Sequence, residues 1–333
     1  TVDDMTELVH TTELGAYHIG HADTLLRTQL GDTLRGRVQL ILTSPPFPLN
    51  KKKSYDNLQG EEYKRWFVSL ASVFADLLTE DGSIVIEMGN AWMPGRPVQS
   101  LLHLESLMGF VNHSEADLRL CQQFVCYNPS RLPSPAQWVT IDRIRTTDSF
   151  THIWWMAQTD FPKADNRKVL RPYSTRMQSL LKRRSYNSGK RPSGHTISDD
   201  GFLIDHGGSI APNFFELEAL KKGQDTRLPN AFQLSNTNSN DFFLRTCRER
   251  NITPHPARMP AGLAAFFIQF LTDPYDLVLD PFAGSNTTGF IAEKLNRRWQ
   301  AIEVKPEYVQ QSLIRFEDPT LRSSGASTTT GEA

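Results

Sequence analysis

The sequence predicts an α/β fold: a mixed, mostly parallel sheet with helices on both faces, plus a smaller irregular domain. Three observations carry this. Short apolar runs at 38–42, 83–87, 152–156, 277–279 and 299–302 have the length of buried strands. Between them lie segments with apolar residues three and four apart, the spacing of a helix that buries one face. Both kinds of segment occur near each end of the chain, separated by a basic, turn-rich middle that matches neither period.

Taken in order, residues 1–14 are acidic and polar and are expected to form a flexible start. The first strand, 38–42, runs into Thr43-Ser44-Pro45-Pro46-Phe47. The helix predicted at 61–78 carries Trp66, Phe67, Leu70, Val73, Phe74, Leu77 and Leu78 on one face. Strands at 83–87 and 152–156 complete the first part of a main domain at 15–160. From 163 to 195 there are ten Lys and Arg against one acid, Asp165, and 161–250 is assigned to a separate, less regular domain. A solvated helix face is the bland reading of that charge run. The second part of the main domain, 251–318, holds the helices expected at 261–271 and 287–295 and the last two strands. The Ser/Thr/Gly-rich residues 319–333 are expected to be a disordered tail.

Composition bounds the function. At 333 residues, 39% hydrophobic and 22% charged, the chain can bury one large core or two moderate ones. No apolar run approaches the ~18 residues of a membrane span, so a soluble, unsecreted protein without a membrane partner is expected. Cys121, Cys126 and Cys247 are too few and too scattered for a disulfide framework or a zinc site, which fits a reducing cytoplasm. The formal net charge of −1 argues against a polyanionic partner until its distribution is considered, because the middle segment is strongly positive.

Two loops carry the chemistry. Leu277-Val278-Leu279-Asp280 leads into Pro281-Phe282-Ala283-Gly284-Ser285-Asn286, and a helix starts at Thr287. A strand, a tight loop and a helix N-terminus present backbone N–H groups to a polar or anionic ligand. Glu303 ends the next strand, where nucleoside-binding folds place the acid that takes the ribose hydroxyls. The absence of Gly-x-Gly-x-x-Gly disfavours a dinucleotide. In the other loop, Pro45 and Pro46 lack N–H donors, so their carbonyls act only as acceptors. Acceptors at Ser44 and the Pro45 carbonyl suit both hydrogens of an aromatic amino group, aiming its lone pair at a sulfonium methyl, and Phe47 suits stacking on an extruded base. A plain turn or a polyproline ligand is the alternative for such a tetrapeptide.

These residues resemble the amino-methyltransferases of DNA, in particular the N4-cytosine subgroup from type II restriction-modification systems. There a Ser/Asp-Pro-Pro-Tyr/Phe loop is catalytic and Asp-Pro-Phe-x-Gly-Ser binds S-adenosylmethionine. The order found here, catalytic loop first and cofactor loop last with a basic insert between, is similar to the β class. The resemblance covers roughly residues 15–318 and implies that 15–160 and 251–318 are the two parts of the catalytic domain and 161–250 the target-recognition domain. It implies the S-adenosylmethionine-dependent methyltransferase (Rossmann-like) fold, S-adenosylmethionine as cofactor and a flipped cytosine as substrate. Catalytic roles are implied for Ser44, Pro45, Pro46 and Phe47. Cofactor contacts are implied for Asp23, Thr43, His255, Arg258, Pro260, Asp280, Phe282, Gly284, Ser285, Asn286, Thr287 and Glu303. Asn286 stands where the family commonly has glycine, and Ala22-Asp23 replaces its Gly-Asp, leaving Asp23 as a helix N-cap open as well. Arg191-Pro192-Ser193-Gly194-His195 and the segment from Gly207 to Asn213 also resemble the cytosine subgroup, as does Ser44 in place of Asp.

Double-stranded DNA is thus the expected partner, contacted by Arg183, Arg184, Lys190, Arg191 and His195 and by Lys51, Lys52 and Lys53, the last three reading equally as a solvated charge run. A cognate restriction endonuclease is expected as a genetic partner, in a bacterial or archaeal cytoplasm, with the enzyme a monomer or homodimer and no metal required. Cytosine C5 methylation needs a cysteine nucleophile in a setting that none of the three cysteines has. The alternatives kept open are N6-adenine methylation, a DNA-binding module without turnover and, more remotely, a nicotinamide-dependent dehydrogenase.

Overall fold

The computed structural model describes residues 7–47, 60–185, 189–197, 201, 203–216, 239–254, 259–319 and 321. Among them the strands are β1 (Glu7–Thr11), β2 (Gly15–Ile19), β3 (Val38–Thr43), β4 (Leu78–Met88), β5 (Arg119–Tyr127), β6 (Phe150–Ala157), β7 (Gly189–Lys190), β8 (Thr196–Ile197), β9 (Phe214–Glu216), β10 (Leu277–Asp280) and β11 (Arg298–Glu303). The α-helices are α1 (Ala22–Leu26), α2 (Gln29–Leu34), α3 (Gly60–Leu77), α4 (Leu102–Val111), α5 (Thr175–Arg183), α6 (Ser239–Glu249), α7 (Ala261–Leu271), α8 (Thr287–Lys294) and α9 (Pro306–Phe316).

Nine strands form one sheet in the order β1-β2-β11-β10-β3-β4-β6-β5-β9. β2, β11, β10, β3 and β4 are parallel neighbours, β6 and β5 continue antiparallel, and β9 adds parallel to β5. Five parallel strands in a row bury both faces, which is why β3 and β10 are buried along their whole length. Side chains from each strand divide between two cores. Leu40, Leu42, Val85, Val278 and Ala301 enter one with α7 and α8, whereas Val38, Ile41, Ile84, Ile86, Leu277, Leu279 and Ile302 enter the other with α3 and α4. Helices on both faces follow directly. A register shift between Val38 and Leu40 explains why those two, although two residues apart, face opposite cores.

The predicted strands and the helices at 61–78, 261–271 and 287–295 all form, within a few residues at their ends. Two differences are informative. Glu7–Thr11, inside the stretch expected to be flexible, is β1, held antiparallel on β2. Of the span 161–250 assigned to recognition, several pieces lie against the catalytic layers. Asp165 N–H donates to Phe270 O of α7 at 2.9 Å, β9 extends the sheet, and Phe243 and Cys247 of α6 pack on Ile314 of α9. Asn213 also bonds to β5 and Ala211 packs on the core, so among the described residues α5 and the small β7–β8 ribbon are what remains outside. No helix among the described residues is long and apolar enough to cross a membrane.

Candidate active site

β3 and β10 are hydrogen-bonded neighbours, with Leu279 paired to Ile41, so the loops that follow them emerge side by side at the carboxyl edge of the sheet. Thr43, fully buried at the end of β3, donates its hydroxyl to Asp280 Oδ1 at 2.7 Å. Asp280 also accepts from Phe282 N–H at 3.1 Å and from the Thr288 hydroxyl. Burial pushes its carboxyl up to about 6 despite those bonds. Thr43 and Asp280, expected as cofactor contacts, turn polar atoms onto each other and onto the loop backbone and so also fasten the two loops together.

The loop after β10 is held from several sides. Phe282 sets its ring edge-on to Trp66 of α3, and Ala283 N–H donates to Ile302 O of β11 at 2.9 Å. Gly284 has φ +53°, a left-handed conformation that costs glycine nothing. Its N–H donates to Glu303 Oε2 at 3.0 Å and its carbonyl accepts from the Tyr17 hydroxyl. Ser285 is buried, its carbonyl and hydroxyl accepting from Arg315 at 2.7 and 2.9 Å. Asn286, in the position where glycine is common, takes φ 55° and ψ 44° and caps α8, its side chain accepting from Gly289 N–H at 3.0 Å. Asn is among the residues that tolerate this region, so the substitution is absorbed without a change of path.

Three features test whether this loop suits a polar nucleoside ligand. Asn286 Nδ2 and Thr287 Oγ1 are buried without a hydrogen-bond partner among the described residues, a costly arrangement unless a ligand supplies one. Glu303 accepts from Gly284 N–H and, through Oε1, from Lys305 N–H at 3.0 Å, and a carboxylate has about four acceptor positions, so capacity remains for a hydroxyl. Burial raises the Glu303 carboxyl above its ordinary range, with the backbone amides opposing. The third feature is Asp23 in the first turn of α1. Gly20 N–H donates to Glu303 O, bringing this turn beside Glu303. Asp23 is not the N-cap, a place taken by His21; its Oδ1 accepts from Thr24 N–H at 3.0 Å. Pro260 is the N-cap of α7, and Met259 beside it meets the Thr288 hydroxyl, so this segment borders α8. His255 and Arg258 lie outside the described residues. The residues present fit the group.

In the loop after β3, Ser44 is half-buried, Pro45 buried, and Pro46 and Phe47 half-buried. Phe47 lies against Gly89, where a Cβ atom would come within 2.6 Å of the ring. Glycine therefore makes room for it. The Ser44 side chain is hydrogen-bonded to Glu87 of β4, which also accepts from the Thr151 hydroxyl at 3.0 Å. Glu87 was not among the residues singled out from the sequence. Burial raises its carboxyl above the ordinary range, opposed by the two hydroxyls and by the charge of Arg131. The available signal was an acid near the end of an apolar strand, the pattern that also marks Asp280 and Glu303.

Of the expected DNA-contacting residues, Arg183, Arg184, Lys190, Arg191 and His195 are exposed. Arg183 ends α5, and Arg184 caps it with φ +51°. Lys190 lies in β7, and Arg191 and His195 close the β7–β8 ribbon through Arg191 N–H to His195 O at 2.8 Å. Lys51, Lys52 and Lys53 lie outside the described residues. Burial pushes the Cys121 thiol to about 11 and the Cys126 thiol to about 12, so neither is a ready nucleophile near neutral pH.

A DNA methylase family model of the N6/N4 methyltransferases matches residues 38–313. The chain is 42% identical over 311 residues to the type II methyltransferase M.PvuII of Proteus hauseri, covering 93% of this chain and 85% of that protein. It superposes on the solved structure of PvuII DNA methyltransferase (cytosine-N4-specific) with a TM-score of 0.66 and 34% identity over the superposed residues, covering 95% of this chain and 91% of that one. A shorter match, 41% identical over 63 residues and 19% of this chain, is to the DNA adenine methyltransferase YhdJ of Escherichia coli (strain K12), of which it covers 21%. The chain belongs to the N6/N4 DNA methylase family of S-adenosylmethionine-dependent enzymes.

Proposed function

We propose that this enzyme methylates the N4 amino group of a flipped-out cytosine at a specific site in duplex DNA, protecting that site from a cognate restriction endonuclease in the cytoplasm of its host. The observation that carries the reading is the Ser44–Glu87 hydrogen bond in a loop tied to the Gly284 loop through Thr43 and Asp280. The N4-cytosine assignment draws on the extended similarity to PvuII DNA methyltransferase.

Bound S-adenosylmethionine supplies an electrophilic methyl group on a sulfonium. Glu303, Asp23, Pro260 and the backbone of Phe282, Gly284, Ser285, Asn286 and Thr287 hold the nucleoside, together with His255 and Arg258. With its own proton donated to Glu87, Ser44 Oγ has lone pairs free to accept one N4 hydrogen, and the Pro45 carbonyl takes the other. This favours a pyramidal nitrogen whose lone pair is no longer delocalised into the ring. The proton that the nitrogen loses passes to Ser44 Oγ as the Ser44 proton passes to Glu87, whose raised pKa makes it a better base than an ordinary carboxylate. Phe47 stacks on the base, and Pro46 stiffens the loop. Arg183, Arg184, Lys190, Arg191 and His195, with Lys51, Lys52 and Lys53, contact the duplex.

The test is to modify DNA with the purified enzyme, digest it and identify the methylated nucleoside by mass. N4-methyl-2′-deoxycytidine is expected, whereas N6-methyl-2′-deoxyadenosine alone would overturn the base assignment. Ser44→Ala retaining full transfer would overturn the proposed role of Ser44.

A further inference from the structure

The 22 residues from 128 to 149 connect β5 to β6, and their position follows from strand register. Tyr127 pairs with Phe150, His152 pairs with Met88, and Ile86 pairs with Thr43. The connection therefore leaves the sheet at the edge from which the Ser44 and Gly284 loops emerge. It is fastened there. Asp148 accepts from Asn90 Nδ2 at 3.1 Å, Trp92 Nε1 at 3.2 Å and Gln99 Nε2 at 3.4 Å, while Arg145 Nε donates to Pro97 O at 3.0 Å. Trp138, in a π-helical turn at Gln137–Ile141, packs against Trp92.

Once those contacts are made, the connection still presents unpaired groups. The guanidinium groups of Arg131 and Arg143 have no hydrogen bond or ion pair among the described residues. Arg143 sits at φ +56° at the end of the π-helical turn. Arg131 is close enough to Glu87 for its charge to be felt there, which puts a cation beside the Ser44–Glu87 pair. Leu132 and Ile141 are 81% and 67% exposed on the same connection, apolar side chains with no core to enter. Cations interspersed with exposed aliphatics, Ile144 among them, at the carboxyl edge of the sheet suit a strand that offers phosphates alternating with apolar sugar faces. A second copy of this chain would favour a contiguous apolar patch instead.

We propose that residues 128–149 are a second DNA-binding element, in which Arg131 and Arg143 take phosphates flanking the reacting nucleotide while Leu132 and Ile141 lie against its sugars. The proposal rests on the enzyme acting on duplex DNA and adds to it the strand-holding surface next to the reacting base. This surface lies outside the basic insert, so the duplex is gripped from two sides.

The experiment compares the full-length protein with Arg131→Ala/Arg143→Ala. Binding to a fluorescent 30-base-pair mixed-sequence duplex is followed by anisotropy across a salt series, and S-adenosylmethionine affinity is measured by calorimetry. The double variant is expected to bind the duplex about tenfold more weakly at low salt. Its slope of log affinity against log salt should be shallower by about 1.8, near 0.9 for each lost phosphate contact, with cofactor affinity unchanged. An unchanged slope with wild-type duplex affinity would overturn the proposal while leaving the methyltransferase reading intact. A wild-type protein that neither binds duplex nor transfers methyl groups would overturn both. Ile141→Asp is the second variant. Weaker duplex binding by a monomer supports the proposal; a wild-type dimer that this variant dissociates without loss of DNA affinity assigns the surface to self-association and overturns it.

Discussion

The carboxyl edge of the sheet and the segment 172–213 are both rich in polar side chains, yet they deploy them in opposite ways. At the edge nearly every polar group is turned inward: Thr43 to Asp280, Ser44 to Glu87, Arg315 to Ser285, Tyr17 to Gly284. Among the described residues of 172–213 the cations face solvent, and the regular structure is one helix and a ribbon of two short strands. Burial makes the first set stiff, because removing one partner strands the other away from water. Exposure leaves the second set cheap to change and able to follow a groove. A substitution at the edge should therefore act on turnover or cofactor binding, and one in the segment on DNA affinity.

The sharpest way to break that contrast is at Ser44 and Glu87. Ser44→Ala and Glu87→Gln are each expected to lower kcat by about 100-fold or more, with duplex and cofactor affinities near wild type. A loss confined to KM for DNA would place the pair on the binding side. Arg315→Met comes next. Its guanidinium is buried over the ring of Phe243, 4.2 Å from the centroid, and holds Ser285. Losing charged hydrogen bonds of this kind should weaken S-adenosylmethionine binding by about tenfold and lower Tm by several degrees, read by calorimetry and thermal melting.

Asp280 yields a pH signature. Because burial raises its folded pKa to about 6, the fold favours the protonated form. The resulting stabilisation is complete below the unfolded value and is lost as pH rises through about 6, a change on the order of 3 kcal/mol. Asp280→Asn should flatten that part of the stability profile in denaturant titrations between pH 4 and 7. The smallest effect is expected at the segment: Arg183→Ala/Arg184→Ala should raise KM for DNA several-fold and reduce the salt slope, leaving kcat unchanged. A change in kcat there would erase the distinction between the two regions.

The parallel strands and long amphipathic helices were legible because burial on both faces leaves uninterrupted apolar runs and because helix spacing repeats over several turns. β5 was not, since its Arg119, Gln122 and Gln123 are exposed and its apolar pattern is weak until Phe124. β9, three residues long, has no periodicity to read. The two loops at the site could be found from their residues, and Asn286 in a left-handed conformation follows from its chemistry. The inward turn of Thr43 and Asp280 could not be read, because which way a side chain points depends on a neighbouring strand far away in the chain. Glu87 escaped for the same reason: only the pairing of Ile86 with Thr43 brings it to Ser44.

That pairing, and that of Leu279 with Ile41, has a metric consequence. Adjacent strands lie about 4.8 Å apart wherever a sheet forms. The loops proposed for cofactor and base leave from adjacent strands, so their separation is inherited from backbone hydrogen bonding and does not depend on any loop's length. Thr43 reaches Asp280 in one register only, and a slip of either strand by one residue would turn that strand's side chain to the wrong face. The sheet thus acts as a ruler for the reaction, and the hydroxyl-to-carboxylate contact marks its zero.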